Sequence, residues 1–167
     1  MHIGNRDFLK YLAAKHPAHF DGARVLELGS ADWCGTVRSS FQNCDYVGVD
    51  ILEGPAVDVV SCANKTDFSD RARFDTLISF SLFEHDPTWA ESLSHNLQWL
   101  RPGALIFLAW GAEGNAPHPP EPFAIVTVAE FNAHVSAEPI RILEQFFECE
   151  RFTPDCPGCY DVVAEKL

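Results

Sequence analysis

Glu27 is a carboxylate set inside the apolar run 25–28, followed at once by Gly29. A buried carboxylate costs several kcal/mol unless it finds a charged or hydrogen-bonding partner. The run reads as a buried strand. Gly29 ends it, and Gly35 lets backbone approach whatever the following loop holds. A second apolar run, 46–49, ends in Asp50. An acid at the tip of the next strand can accept hydrogen bonds from a ribose. Together these residues point to a nucleoside-containing cofactor bound across the ends of parallel strands.

A dinucleotide is the first alternative, and it fits poorly. Its loop needs G-x-G-x-x-G, so that a pyrophosphate can lie against backbone at a helix N-terminus. Here Ala31 stands where the middle glycine would be, and Glu27 would place negative charge near the pyrophosphate. A cofactor with a positively charged end suits Glu27 better. At this point the chain resembles the class I S-adenosylmethionine-dependent methyltransferases of the small-molecule, type 11-like group. That family reads E/D-x-G-x-G-x-G after its first strand, with an acid ending the second. Glu27, Gly29, Gly35 and Asp50 match; Ala31 replaces a glycine, and the last glycine is displaced by two positions. Two later segments extend the resemblance. Residues 74–87 are similar to the family's fourth strand and the segment leaving it, and residues 97–108 to its "LKPGG" approach to strand five.

The resemblance implies S-adenosyl-L-methionine as cofactor and assigns roles. Glu27 would lie near the methionine ammonium, with Gly29, Ser30, Ala31 and Gly35 around the methionine part. Asp50 would accept from the ribose hydroxyls, and Ile51 would cover the adenine, flanked by Cys62 and Ala63. Ser79, Phe80 and Ser81 would leave strand four beside the transferable methyl. Trp33 either touches the ligand or only packs.

A sulfonium is already an activated methyl donor, so an enzyme mainly supplies alignment and desolvation. A general base matters only if the acceptor keeps its proton near neutral pH. Glu84 and His85, just after the fourth strand, are the candidates; the other reading is that they begin the next helix and hold the loop. The stretch 111–122 carries Pro117, Pro119, Pro120 and Pro122 and cannot be regular structure. It follows strand five, so it is expected to wall an acceptor pocket, with His118 and Glu121 as polar contacts; the alternative is a plain surface connection. The family's amino-methylating DNA and protein enzymes often carry N/D-P-P-Y after strand four. Residues 79–82 depart from that motif, which favours a small-molecule oxygen acceptor, a hydroxyl or carboxylate. The alternative function is a catalytically silent S-adenosylmethionine-binding or scaffold protein of the same fold.

These groups need a frame to hold them. Phe8, Leu9, Leu12 and Ala13 predict a helix over 4–16. Strands are expected at 24–29, 46–50, 57–60, 75–80 and 104–110, with helices near 36–42 and 88–100, the latter capped by Thr88. Residues 128–135 read as a helix capped by Thr127, and strands near 141–152 and 159–166 close the chain. The expected fold is α/β: a Rossmann-like, doubly wound, mostly parallel sheet with a C-terminal antiparallel hairpin, over residues 1–167 as one domain.

Composition sets the remaining expectations. The chain has 167 residues, 47% hydrophobic and 22% charged, which suits one globular core. The formal charge is −12, with only 12 Lys and Arg, which argues against nucleic acid, a partner held mainly by basic side chains. No apolar run approaches a membrane span, and the first residues lack a signal peptide's apolar core, so a cytoplasmic location without membrane contact is expected. The expected partner is a small-molecule acceptor; oligomeric state is open. Cys34, Cys44, Cys62 and Cys149 read as inert apolar residues, and Cys156-Pro-Gly-Cys159 as a turn joining the last strands. Without a second C-x-x-C or H-x-x-x-H spacing, no metal site is expected.

Overall fold

Runs of Val, Leu, Ile and Phe bounded by Gly, Pro and Asp are the pattern of strands buried on both faces. Such runs build a single sheet here. The computed structural model describes residues 3–32, 35–112, 122–147 and 158–167. Its strands are β1 (Arg24–Leu28), β2 (Asp45–Asp50), β3 (Val59–Val60), β4 (Phe74–Phe80), β5 (Leu100–Gly111), β6 (Ile140–Phe147) and β7 (Cys159–Lys166). They lie in the order β3-β2-β1-β4-β5-β7-β6. The first five are parallel; β7 runs antiparallel between β5 and β6. The expected mostly parallel sheet with an antiparallel C-terminal hairpin is what forms.

Alternate residues of each strand feed two cores. Leu26, Leu28, Val47, Val49, Leu77 and Ile106 pack against Leu93 and Leu97 of α2 (Trp89–Leu97) and Phe131 and Val135 of α3 (Val128–Val135). On the opposite face Val25, Ile78, Leu105 and Phe107 pack against Phe8, Leu9 and Leu12 of α1 (Ile3–Lys15). Phe8 and Leu12 are fully buried, and each such side chain contributes about 1.5–3 kcal/mol of burial free energy. The hydrophobic stripe of α1 therefore fastens it across the sheet.

Local chemistry explains the element ends. Thr127 caps α3 with a complete capping box: its Oγ1 accepts from the Glu130 N–H, while its own N–H donates to Glu130 Oε2. Thr88 does not cap α2 as expected. Its hydroxyl donates to Asp86 Oδ1 at 2.7 Å, and Asp86 also accepts from the Thr88 N–H and the Ser92 hydroxyl. The Thr88 hydroxyl is engaged with that carboxylate, and no N–H of the first helical turn donates to it. That helix ends at Leu97 rather than near 100, because β5 begins at Leu100, paired with Phe74. Strand five, expected at 104–110, starts earlier: Arg101, Pro102 and Gly103 lie within β5 where the ladder shifts, with Gly103 at φ +79°. Strand three is only Val59–Val60. Strand β6 is described to Phe147; 148–152 lie outside the described residues.

One expected helix is absent. Residues 36–42 hold only a 3-10 turn, Arg38–Ser40. Thr36, Val37, Ser39 and Ser40 are weak helix formers, and Thr36 Oγ1 takes the Arg38 N–H at 3.1 Å. The Arg38 guanidinium reaches out of the turn to Asp58, at 2.9 Å, and stacks over the Tyr46 ring. Side-chain contacts to β2 and the segment after it take the place of helix packing.

Candidate functional site

The connection after β1 leads to β2 on one side, and the connection after β4 leads to β5 on the other. A crevice between such diverging connections, at the carboxyl ends of the strands, is where open α/β sheets bind ligands. Gly29 opens the loop there at φ +79°. Its N–H and that of Ser30 both donate to the Val49 carbonyl, at 2.9 and 3.0 Å. A Cβ on Gly29 would stand 3.1 Å from the Leu82 side chain, so the loop lies directly against the residue that leaves β4. Gly35 closes the loop at φ +105°, its N–H donating to Asp32 Oδ1. Trp33 and Cys34 lie outside the described residues.

Asp50 ends β2 beside this loop. Its Oδ2 accepts from the Ala31 N–H and its Oδ1 from the Leu52 N–H, each at 3.0 Å. Every carboxylate oxygen offers two lone pairs, so both oxygens keep acceptor capacity while the backbone fixes their direction. Ile51 and Leu52 follow, 64% and 45% exposed, an apolar surface at the rim. The Asp50 carbonyl accepts from the Ser61 N–H, which draws the segment after β3 to the same edge. Cys62 is exposed there, and Ala63 packs against the core.

Glu27 points to the α1 face, buried to 5% exposure. Its Oε2 accepts from the Tyr46 hydroxyl at 2.8 Å. Desolvation pushes its carboxyl up to about 7, against the opposing pull of that hydrogen bond and of Arg38; Asp50 and Asp32 push it further up. Burial and the same carboxylate push the Tyr46 hydroxyl up as well, so it stays a donor. Ser30 lies on this face over Gly48, where a Cβ would stand 2.7 Å from Ser30 Oγ and 2.2 Å from the Ala56 carbonyl. Ser30 Oγ is buried with no hydrogen-bond partner among the described residues.

The β4 side of the crevice is more closed. Ser79 is buried, its hydroxyl donating to the Leu28 carbonyl at 3.1 Å, and Phe80 stacks on Phe8 of α1 at 5.7 Å. Glu84 sits in a 3-10 turn, Phe83–His85, and is buried. Its Oε1 accepts from the Gly111 N–H at 3.2 Å, and its carbonyl accepts from the Ala124 N–H at 2.7 Å. It thereby joins the exits of β4 and β5. His85 is half-buried, with Nδ1 3.2 Å from the Pro122 carbonyl and its ring edge-on to Phe123. The Trp110 Nε1–H donates to the Val126 carbonyl at 2.8 Å and anchors the returning chain. His118 and Glu121 lie outside the described residues.

The fold brings the glycine loop, Asp50, Ile51, Cys62 and the exit of β4 to one edge, and sets Glu27 and Ser79 beneath them. Asn5, Arg38, Tyr46 and Asp58 escaped the sequence reading although they contact this machinery. Each is a polar residue whose partner lies on another element, and no local pattern marks it. Among the described residues no helix is long and apolar enough to cross a membrane.

Comparisons with known proteins agree with this geometry. No curated protein matches the chain. Solved structures do. Magnesium protoporphyrin IX methyltransferase from Synechocystis PCC 6803, with bound S-adenosylmethionine, has TM-score 0.69 at 12% identity, covering 99% of this chain and 81% of that one. The 1,6-didemethyltoxoflavin-N1-methyltransferase of Burkholderia thailandensis, with 1,6-didemethyltoxoflavin and S-adenosylhomocysteine bound, has TM-score 0.64 at 18% identity, covering 97% and 81%. The [4+2]-cyclase SpnF has TM-score 0.70 at 15% identity, covering 96% and 80%. At such identities the likeness is one of fold. A family model described as a methyltransferase domain matches residues 3–113, which take in β1 to β5 and the glycine loop. The chain belongs to that methyltransferase domain family.

Proposed function

We propose that this protein transfers a methyl group from S-adenosylmethionine to a small-molecule acceptor, with oxygen acceptors preferred. The observation that carries the reading is Asp50, fixed by the Ala31 and Leu52 N–H groups at the tip of β2, next to the switch point between β1 and β4. The residues present fit the cofactor. Gly29 and Gly35 adopt positive-φ conformations that glycine takes without strain, and no Cβ stands at either end of the loop. The unpartnered Ser30 hydroxyl supplies a buried polar group next to that loop. The Asp32 and Asp50 carboxylates act on Glu27, opposed by Arg38, and this gathering of acids suits a cationic ligand.

When bound, the cofactor supplies a methyl group already activated on a sulfonium. What remains for the chain is to hold and align, and proximity of that kind supplies up to about 7–11 kcal/mol of a barrier. Asp50 would hold the ribose, Ile51 the adenine with Cys62 and Ala63 beside it, and the 29–35 loop the methionine end near Glu27. Ser79 keeps β4 and β1 in register through the Leu28 carbonyl, which sets where Phe80 leaves the strand. Glu84, tied to Gly111, holds the rim. His85 on that rim is the group we assign as base for an acceptor that retains its proton. The oxygen preference rests on residues 79–82, which stand in place of an amino-methylating motif, and on the formal charge of −12.

Calorimetry with S-adenosylhomocysteine tests the cofactor site. Asp50→Ala should weaken binding at least tenfold, because each hydrogen bond to a charged acceptor contributes about 1.5–3 kcal/mol. Unchanged affinity removes Asp50 from the site. An assay for released S-adenosylhomocysteine, with phenols, carboxylates and amines as acceptors, then tests turnover. A second reading, a silent cofactor-binding protein, is favoured by the three-residue turn that stands in place of a helix after the loop. Tight cofactor binding without turnover on any acceptor class would establish it.

A further inference from the structure

Ser81, the residue after β4, has φ +58°. A side chain in the left-handed region costs free energy, and a non-glycine residue persists there only when its surroundings over-determine it. Contacts from separate elements do so here. The Ser81 N–H donates to the Ala109 carbonyl of β5 at 2.7 Å. Its hydroxyl accepts from the Asn5 Nδ2 amide, in the first turn of α1, at 3.1 Å. Next in the chain, Leu82 packs on Gly29 of the glycine loop. Asn5 is 1% exposed, so its amide is committed to the interior, and Phe8 stacked on Phe80 pins the same helix beside the same elbow.

We propose that Asn5 is a positioning residue for the cofactor crevice: its amide holds Ser81 in the left-handed conformation that sets Leu82 against the Gly29 loop. This rests on the reading of that crevice as an S-adenosylmethionine site. It makes the N-terminal helix part of the site's support, although its one described side-chain bond to the elbow comes from far away in sequence. Turning the chain at Ser81 fixes where the wall of the crevice meets the loop. Without the Asn5 bond the backbone relaxes toward an ordinary conformation, Leu82 withdraws, and Gly29 loses its neighbour.

Glycine adopts the left-handed conformation without strain, whereas alanine keeps the strain and lacks the hydroxyl. The test is therefore a set of variants, Asn5→Ala, Ser81→Ala, Ser81→Gly and the Asn5→Ala/Ser81→Gly double, each measured for S-adenosylhomocysteine affinity by calorimetry and for Tm. Asn5→Ala and Ser81→Ala should each weaken binding roughly tenfold, the scale of one lost buried hydrogen bond. Ser81→Gly should recover most of what Ser81→Ala loses, and in that background Asn5→Ala should cost little further affinity. A purely structural bond would instead lower Tm and leave affinity alone, or show the Asn5→Ala loss undiminished in the Ser81→Gly background; either result overturns the inference. If Asn5→Ala does not fold, the contrast between Ser81→Ala and Ser81→Gly decides alone, and equal losses overturn it. Failure of the wild-type chain to bind S-adenosylhomocysteine overturns the methyl-transfer reading and this inference together, whereas binding indifferent to these variants overturns only the inference.

Discussion

Glu27→Gln separates the cost of a buried ionised carboxylate from everything else the side chain does. The glutamine amide would keep an acceptor for the Tyr46 hydroxyl and nearly the same volume, and would remove only the titration. In the folded chain the carboxyl is pushed up to about 7 from an ordinary 4.5, first by burial. The native state therefore binds this proton more tightly than the unfolded chain does, and folding takes up a proton between those values. The stabilisation is fully present below the unfolded pKa and is lost as pH rises through 7. A shift of that size corresponds to about 3 kcal/mol at 1.36 kcal/mol per unit. For a domain of this length it amounts to a Tm change of roughly 6–12 °C. Scanning calorimetry of both proteins from pH 5 to 9 reads the effect. The difference in Tm, variant minus wild type, should rise across pH 5 to 8 and level off above. Tyr46→Phe removes a hydrogen bond that favours the ionised form, so it should move the break to higher pH. Parallel curves for Glu27→Gln and wild type would refute the reasoning, because they would mean that Glu27 titrates alike in both states.

Other perturbations test the frame around the site. Gly48→Ala places a methyl 2.2 Å from the Ala56 carbonyl, in backbone that cannot move aside cheaply; a loss of about 1–3 kcal/mol is expected by denaturant unfolding. Gly54→Ala meets nothing within 4 Å and is the matched control, expected to leave the midpoint unmoved. Ser79→Ala leaves the Leu28 carbonyl without its hydroxyl donor and should cost about 1–3 kcal/mol in the same assay. Thr127→Ala breaks the capping box of α3; about 1 kcal/mol is expected, and no change in Tm would show that packing alone holds that helix.

The parts of this protein decided over a few residues were legible in the chain itself. Thr127 and Glu130 cap a helix because each reaches the other's backbone within one turn. Valine- and leucine-rich runs become parallel strands because both faces must be covered, whereas the order in which they pair appears only in the fold. Gly29 and Asp50 announced the crevice for the same reason: one supplies a backbone conformation, the other the acid at a strand tip, and both properties are local. What the tertiary structure decided is whatever depends on a distant partner. Residues 36–42 form a short turn rather than a helix because Arg38 finds Asp58 and the Tyr46 ring. Thr88 does not make its expected cap; its hydroxyl donates to Asp86 instead. Glu84 reads as a group at the mouth of the site, and it lies buried because the Gly111 N–H and the Ala124 N–H fold over it. Glu27 holds its proton near neutrality only because the folded sheet buries it, against the opposing pull of the Tyr46 hydroxyl and Arg38. Asn5 meets Ser81 only when helix α1 has docked across the sheet. Backbone conformation and periodicity are properties of neighbours in sequence; burial, proton affinity and positioning belong to neighbours in space.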